Sequence, residues 1–254
     1  VSKRTLFGTT ALTPLAMLLG TGIALAAPAV SAPNATLGGF LGSWDGSGFG
    51  GAQGSWTAPV TPSTGAQVDG ILGSANGQFW GELNGHYFWR NPNSGLVGLY
   101  GAVTTGFGFS NFRIGPEAEV YSGPFTFSGV AGVKTGGGDS LFAQAKGSLY
   151  IDDNTKAYVG YQYEDGSFFS AGLEHIFAGT NLSAFGEVRG GEGSTGVWAG
   201  FRYYFGQPGK SLKGRDREDI APLWMNVTDT PAANPTPPGT TARGTTPPGT
   251  TPGA

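Results

Sequence analysis

The sequence predicts an all-β protein: a closed antiparallel up-and-down transmembrane β-barrel of about ten strands, within a range of eight to twelve, with a flexible C-terminal tail. Three observations carry this reading. The composition is rich in glycine and poor in charge, a two-residue alternation runs through long segments, and the charges of those segments share one parity.

The 254 residues include 47 Gly, 17 Phe, 9 Tyr and 6 Trp, with 12% charged residues and no Cys. Ordinary domains carry about 7% Gly and about 25% charge. Glycine inside a helix costs about 1 kcal/mol relative to alanine, which excludes a helical bundle. Abundant aromatics and a net charge of −3 exclude wholesale disorder. Without cysteine there is no disulfide framework, thiolate metal site or cysteine nucleophile.

Residues 1–26 read as a secretory signal peptide. Lys3 and Arg4 precede a mostly apolar run from Leu12 to Ala27, and Ala24-Leu25-Ala26 supplies small residues for cleavage between Ala26 and Ala27. Loss of Lys3 and Arg4 leaves 12 basic against 17 acidic residues, which argues against nucleic acid as a partner. Residues 27–64 form a Gly/Ser/Pro-rich N-terminal segment, residues 65–205 the barrel, and residues 206–254 a periplasmic Pro/Thr-rich tail. That tail lacks the apolar surface to offset ordering entropy, so it is expected to be a polyproline-like or disordered end.

Within the barrel region the expected strands are 66–75, 77–90, 95–105, 108–121, 125–135, 140–150, 156–164, 168–177, 181–190 and 195–205. Alternation is clearest in the second. Phe79, Leu83, Tyr87 and Trp89 share one parity, and Glu82, Asn84, His86 and Arg90 the other, before an Asn91-Pro92-Asn93-Ser94 turn. Most segments reach the roughly 9–11 residues that a tilted transmembrane strand needs.

Between Ala27 and Gly206 the basic residues are Arg90, Arg113, Lys134, Lys146, Lys156, Arg189 and Arg202. All lie on the parity opposite the Leu, Val and Phe positions. Asp69, Glu82, Glu117, Glu119, Glu164, Glu174 and Glu187 share that parity, giving a balanced inward charge network. The remaining acids fall in turns or in the N-terminal segment. Glycine and alanine interrupt the apolar parity, as at Gly81, Gly85 and Ala143. A soluble core would be left with voids, whereas acyl chains fill them. Tyr87, Trp89, Phe125, Phe177 and Tyr203 near strand ends fit interfacial girdles, and only closure removes the edges that lipid does not tolerate.

The last strand, Trp198 to Phe205, has Gly200 followed by alternating Phe201, Tyr203 and Phe205. It resembles the C-terminal assembly signal of Gram-negative outer-membrane β-barrels, although 49 residues follow Phe205. The run Gly85 to Tyr100 is similar to uncharacterised proteobacterial barrels of that class. The resemblance implies an outer-membrane location, lipid contact and insertion by the barrel-assembly machinery, and brings no activity.

The expected connections are short at both ends, so no binding head is foreseen. Balanced inward charges and bulky Trp80, Phe88, Phe142, Tyr150, Tyr158, Trp198 and Tyr204 on the same parity point to a salt-bridged, largely closed lumen. The function expected is a structural membrane protein or narrow passive pore. An open porin-like channel is the first alternative and a lipid or protein hydrolase the second. For the hydrolase the base would be His86, oriented by Glu82, but there is no GxSxG, HExxH or Walker pattern. No cofactor or metal is expected. The tail could extend about 80 Å in polyproline geometry, toward the cell wall or a periplasmic partner.

Overall fold

The computed structural model describes residues 27–226, except 76, 107, 137–138 and 165. Twelve strands run in order: β1 (Asn34–Trp44), β2 (Ser47–Pro59), β3 (Thr64–Ala75), β4 (Gln78–Asn91), β5 (Gly95–Gly106), β6 (Phe109–Ser122), β7 (Phe125–Thr135), β8 (Ser140–Asp152), β9 (Thr155–Glu164), β10 (Ser167–Ile176), β11 (Leu182–Gly191) and β12 (Ser194–Phe205). Each pairs antiparallel with its sequence neighbours, and β1 pairs with β12 to close the barrel.

The expected ten strands correspond to β3–β12. The other two come from the stretch 27–64, read from sequence as a Gly/Ser/Pro-rich segment whose residues 37–64 would raise the count to twelve if they paired; they do, and the barrel begins at Asn34. The alternation there is thin. Leu37, Leu41 and Trp56 mark the outer face and Phe40, Trp44 and Phe49 the inner one, with glycine and small residues between them. Asp45 and Gly46 join the two strands with φ of 49° and 78°, the backbone of a tight hairpin turn whose twist matches its strands.

With twelve strands, Asn34 and Phe205 lie at one end, here the terminal rim. The end carrying the Asp45-Gly46 turn is the distal rim. Outward positions form an apolar surface in which Leu41 is 78% and Phe79 83% exposed. Inward positions hold the polar and aromatic residues. At the seam, glycine is required. A Cβ on Gly42 would lie 2.0 Å from the Val197 carbonyl oxygen, and one on Gly200 2.1 Å from that of Gly39. Bare backbone at these points lets β1 and β12 approach while Phe40 and Trp198 turn inward.

Candidate functional site: the filled lumen

The chain does not leave the barrel after β12. Residues 206–226, expected as the start of a periplasmic tail, fold back through the terminal rim into the lumen. A short helix, α1 (Leu212–Glu218), starts at Ser211, whose hydroxyl accepts from the Gly214 N–H at 3.2 Å. It lies across the mouth. Leu212 packs on Ile176 and Tyr204. Arg215 is buried over the Tyr204 ring and donates to Asn181 Oδ1 and the Gln207 carbonyl, each at 2.9 Å. Asp216 receives Tyr150 Oη and Lys156 Nζ, both at 2.7 Å. Arg217 reaches the Phe125 carbonyl at 2.8 Å. Asp219 closes the turn, taking Lys210 Nζ at 2.7 Å and the hydroxyl of Ser31.

Beyond α1, Ile220 to Asn226 run extended up the lumen. The Ile220 carbonyl accepts from Arg90, and Ala221 pairs with Gln67. Trp224 is 2% exposed, packed among Tyr100, Ala102, Val130 and Phe142. Its carbonyl accepts from Asn84 at 3.2 Å, and Lys146 Nζ lies 5.5 Å from its ring centroid. Asn226 is held on three sides. Glu82 accepts from its side-chain and main-chain nitrogens at 2.8 and 3.1 Å, Tyr100 Oη accepts at 3.1 Å, and Gln144 donates to its Oδ1 at 2.6 Å. Each buried polar atom of the segment that meets a wall group in this way avoids a desolvation cost of about 1–3 kcal/mol.

Charged side chains directed into the lumen divide into clusters. Asp69, His86 and Glu117 form one, with both imidazole nitrogens 2.9 Å from a carboxylate oxygen. Arg113 and Lys134 share Glu164, and Arg113 also donates to Thr104 at 2.7 Å. Lys156 and Arg202 share Glu174. Arg189 meets Glu187 at 2.9 Å. Glu119 takes the hydroxyls of Tyr121 and Ser128, each at 2.7 Å. Glu82 serves Asn226, so it does not orient His86.

Toward the distal rim, Phe40, Trp44, Phe49, Trp80, Phe168 and Trp198 form an aromatic cluster, with Phe49 stacked on Trp80 at 6.3 Å between centroids. Met225 packs against it from below. Between cluster, segment and wall remains a cavity of about 140 Å³ bordered by Gln53, Lys146, Tyr158, Glu187 and Arg189. On β12, Phe201, Tyr203 and Phe205 project outward and Gly200 lies at the seam. Ala27 is exposed, while Ala26 and the rest of the expected signal peptide lie outside the described residues.

Neither a family model nor a curated protein matches this sequence. Solved structures do. The KdgM porin superposes with a TM-score of 0.57 at 9% identity, covering 67% of this chain and 99% of its own. A structure of the KdgM porin in complex with disordered oligogalacturonate gives 0.55 at 8% identity, covering 67% and 99%. Omp33 of Acinetobacter baumannii gives 0.48 at 8% identity, covering 68% and 98%. The fold is that of an outer-membrane barrel. Identities this low carry the fold and no substrate.

The lumen position of the C-terminal segment is not what the sequence led us to expect. A signal was present: Ile220, Ala221, Leu223, Trp224 and Met225 make an apolar run ahead of an otherwise Pro- and Thr-rich end.

Proposed function

We propose that the protein is an integral outer-membrane barrel kept shut by its own C-terminal segment, a structural membrane protein with at most a narrow passive leak. Trp224 and Asn226 in the middle of the lumen, hydrogen-bonded to β4, β5 and β8, carry this reading. In it the terminal rim faces the periplasm, as the even strand number and the barrel-assembly signal on β12 imply. Paired inward charges and the distal aromatic cluster support closure from the barrel wall itself.

The likeness to the KdgM porin and the polar cavity beside Lys146 favour a second reading, a channel that conducts once the segment leaves. A hydrolase is disfavoured, because carboxylates occupy both nitrogens of His86. Single-channel recording in planar bilayers tests the proposal. The full chain is expected to show small or no current steps, and large, stable, ion-selective steps would overturn it. Recovery in the outer-membrane fraction and heat-modifiable migration test the location and fold.

A further inference from the structure

We propose that the lumen holds an anion site: a halide-sized monovalent anion bound in the cavity beside the C-terminal segment, between Lys146 and Arg189. The site rests on the segment being seated, and not on the closure that its seating brings.

Strand register builds the site. Lys146 of β8 pairs with Gly160 of β9, Gly160 with Ser170 of β10, and Ser170 with Arg189 of β11. All four border the cavity of about 140 Å³. A cation therefore stands at each end of one row, about 14 Å apart along the sheet at a strand spacing of about 4.8 Å. Glycine and serine keep the floor between them low. The segment supplies the roof, with the Trp224 ring centroid 5.5 Å from Lys146 Nζ and the Met225 carbonyl 3.1 Å from Arg189.

Donors are in surplus around this row. Lys146 Nζ has no hydrogen-bond or ion-pair partner among the described residues; it lies over the Tyr158 ring at 5.2 Å and near that of Trp224. Ring faces attract the charge but leave its three N–H groups without an acceptor. Gln53, 4% exposed on the β2 side of the same cavity, has its Nε2 buried without a partner as well.

The carboxylates bordering the cavity are already engaged. Glu187 takes Tyr158 and Arg189, Glu174 takes Lys156 and Arg202, and Asp216 takes Tyr150 and Lys156. Glu119 holds two hydroxyls, and Asp69 holds His86 and Gln67. Lys146 and Arg189 thus have a single carboxylate between them, Glu187, and its two oxygens are occupied. A cation taken out of water needs a counter-charge, and here one negative charge is wanting.

Shape sets the class of ligand. The lining runs from Tyr150 and Asp216 at the terminal mouth to Phe168 and Trp198 beneath the distal aromatic cluster. The volume takes on the order of ten water-sized spheres, enough for a halide with part of its hydration and too little for an oligosaccharide.

The test uses the full chain in detergent, unfolded by urea in sodium chloride and in sodium gluconate of equal ionic strength. The midpoint is expected to be higher in chloride, rising by about 0.5 M for each tenfold increase above the dissociation constant. Lys146→Met should lose that dependence while keeping the heat-modifiable band, and Lys146→Arg should retain it. Equal midpoints in the two salts for the parent chain overturn the site. A dependence that survives in Lys146→Met means an adventitious ion only and overturns it too. Crystals of the parent chain grown in bromide give a readout independent of how the variants fold. An anomalous peak within hydrogen-bonding reach of Lys146 Nζ is expected, and bromide found only elsewhere, or nowhere, overturns the proposal.

Discussion

Gln67 and Ala221 exchange two hydrogen bonds across 154 positions of sequence. The Ala221 N–H donates to Gln67 Oε1 at 2.7 Å, and Gln67 Nε2 donates to the Ala221 carbonyl at 3.2 Å. A side-chain amide on the wall thus treats the lumen segment as a neighbouring strand. The pair fixes where the extended run begins, and with Asn84 and Glu82 it makes a ladder that the segment climbs.

Replacing Gln67 by Leu removes both bonds and leaves the Ala221 main-chain groups buried without them, a cost of about 1–3 kcal/mol. The segment should leave the lumen more often. In planar bilayers this variant is expected to show brief openings at least several-fold more frequent than the parent chain. Unchanged traces would mean that the ladder does not hold the segment.

Ending the chain after Gly209 removes α1 and the lumen run together, while every strand remains. The truncated barrel should still migrate in a heat-modifiable way and should conduct where the full chain does not. A truncated barrel that folds but stays silent would place closure in the wall charges and the distal aromatic cluster.

Arg113 and Glu164 are a buried pair, with Lys134 Nζ 3.0 Å from the same carboxylate. Removing one member of such a pair costs about 3–5 kcal/mol. Arg113→Met should fall at the low end, because Lys134 still faces Glu164. The midpoint of denaturant unfolding in detergent measures the loss, and it should exceed that of Arg217→Met, whose guanidinium sits at the exposed terminal rim.

At the closing seam, Gly42→Val places a methyl-bearing carbon on the Val197 carbonyl and the Trp198 backbone. It should prevent β1 from pairing with β12 and abolish the heat-modifiable form. Gly85→Ala, where nothing lies within 4 Å of the added carbon, should leave it intact.

The sequence makes the barrel legible because strand parity is a local property. Glu82, Asn84, His86 and Arg90 alternate with Leu83, Tyr87 and Trp89 whatever their neighbours do. β1 and β2 escape that reading because glycine at Gly38, Gly39, Gly48, Gly50 and Gly51 erases alternation while leaving the backbone able to pair.

Inside the barrel the limit is different. Parity alone determines that Asp69, His86 and Glu117 face one interior and that the wall charges balance. Which carboxylate meets which cation depends on tilt and register around a closed sheet, so Arg113 finds Glu164 fifty-one positions away. The lumen segment lies furthest from local rules. Leu212 to Asn226 carry no strand period, and their order comes from partners spread around the wall, on β3, β4, β5 and β7 to β12, that converge only after closure. The sequence by itself determined a membrane barrel with polar contents; the tertiary structure decided that the chain's own C-terminal segment fills it, because only the closed wall brings Gln67, Asn84, Glu82 and Gln144 around one strand of backbone.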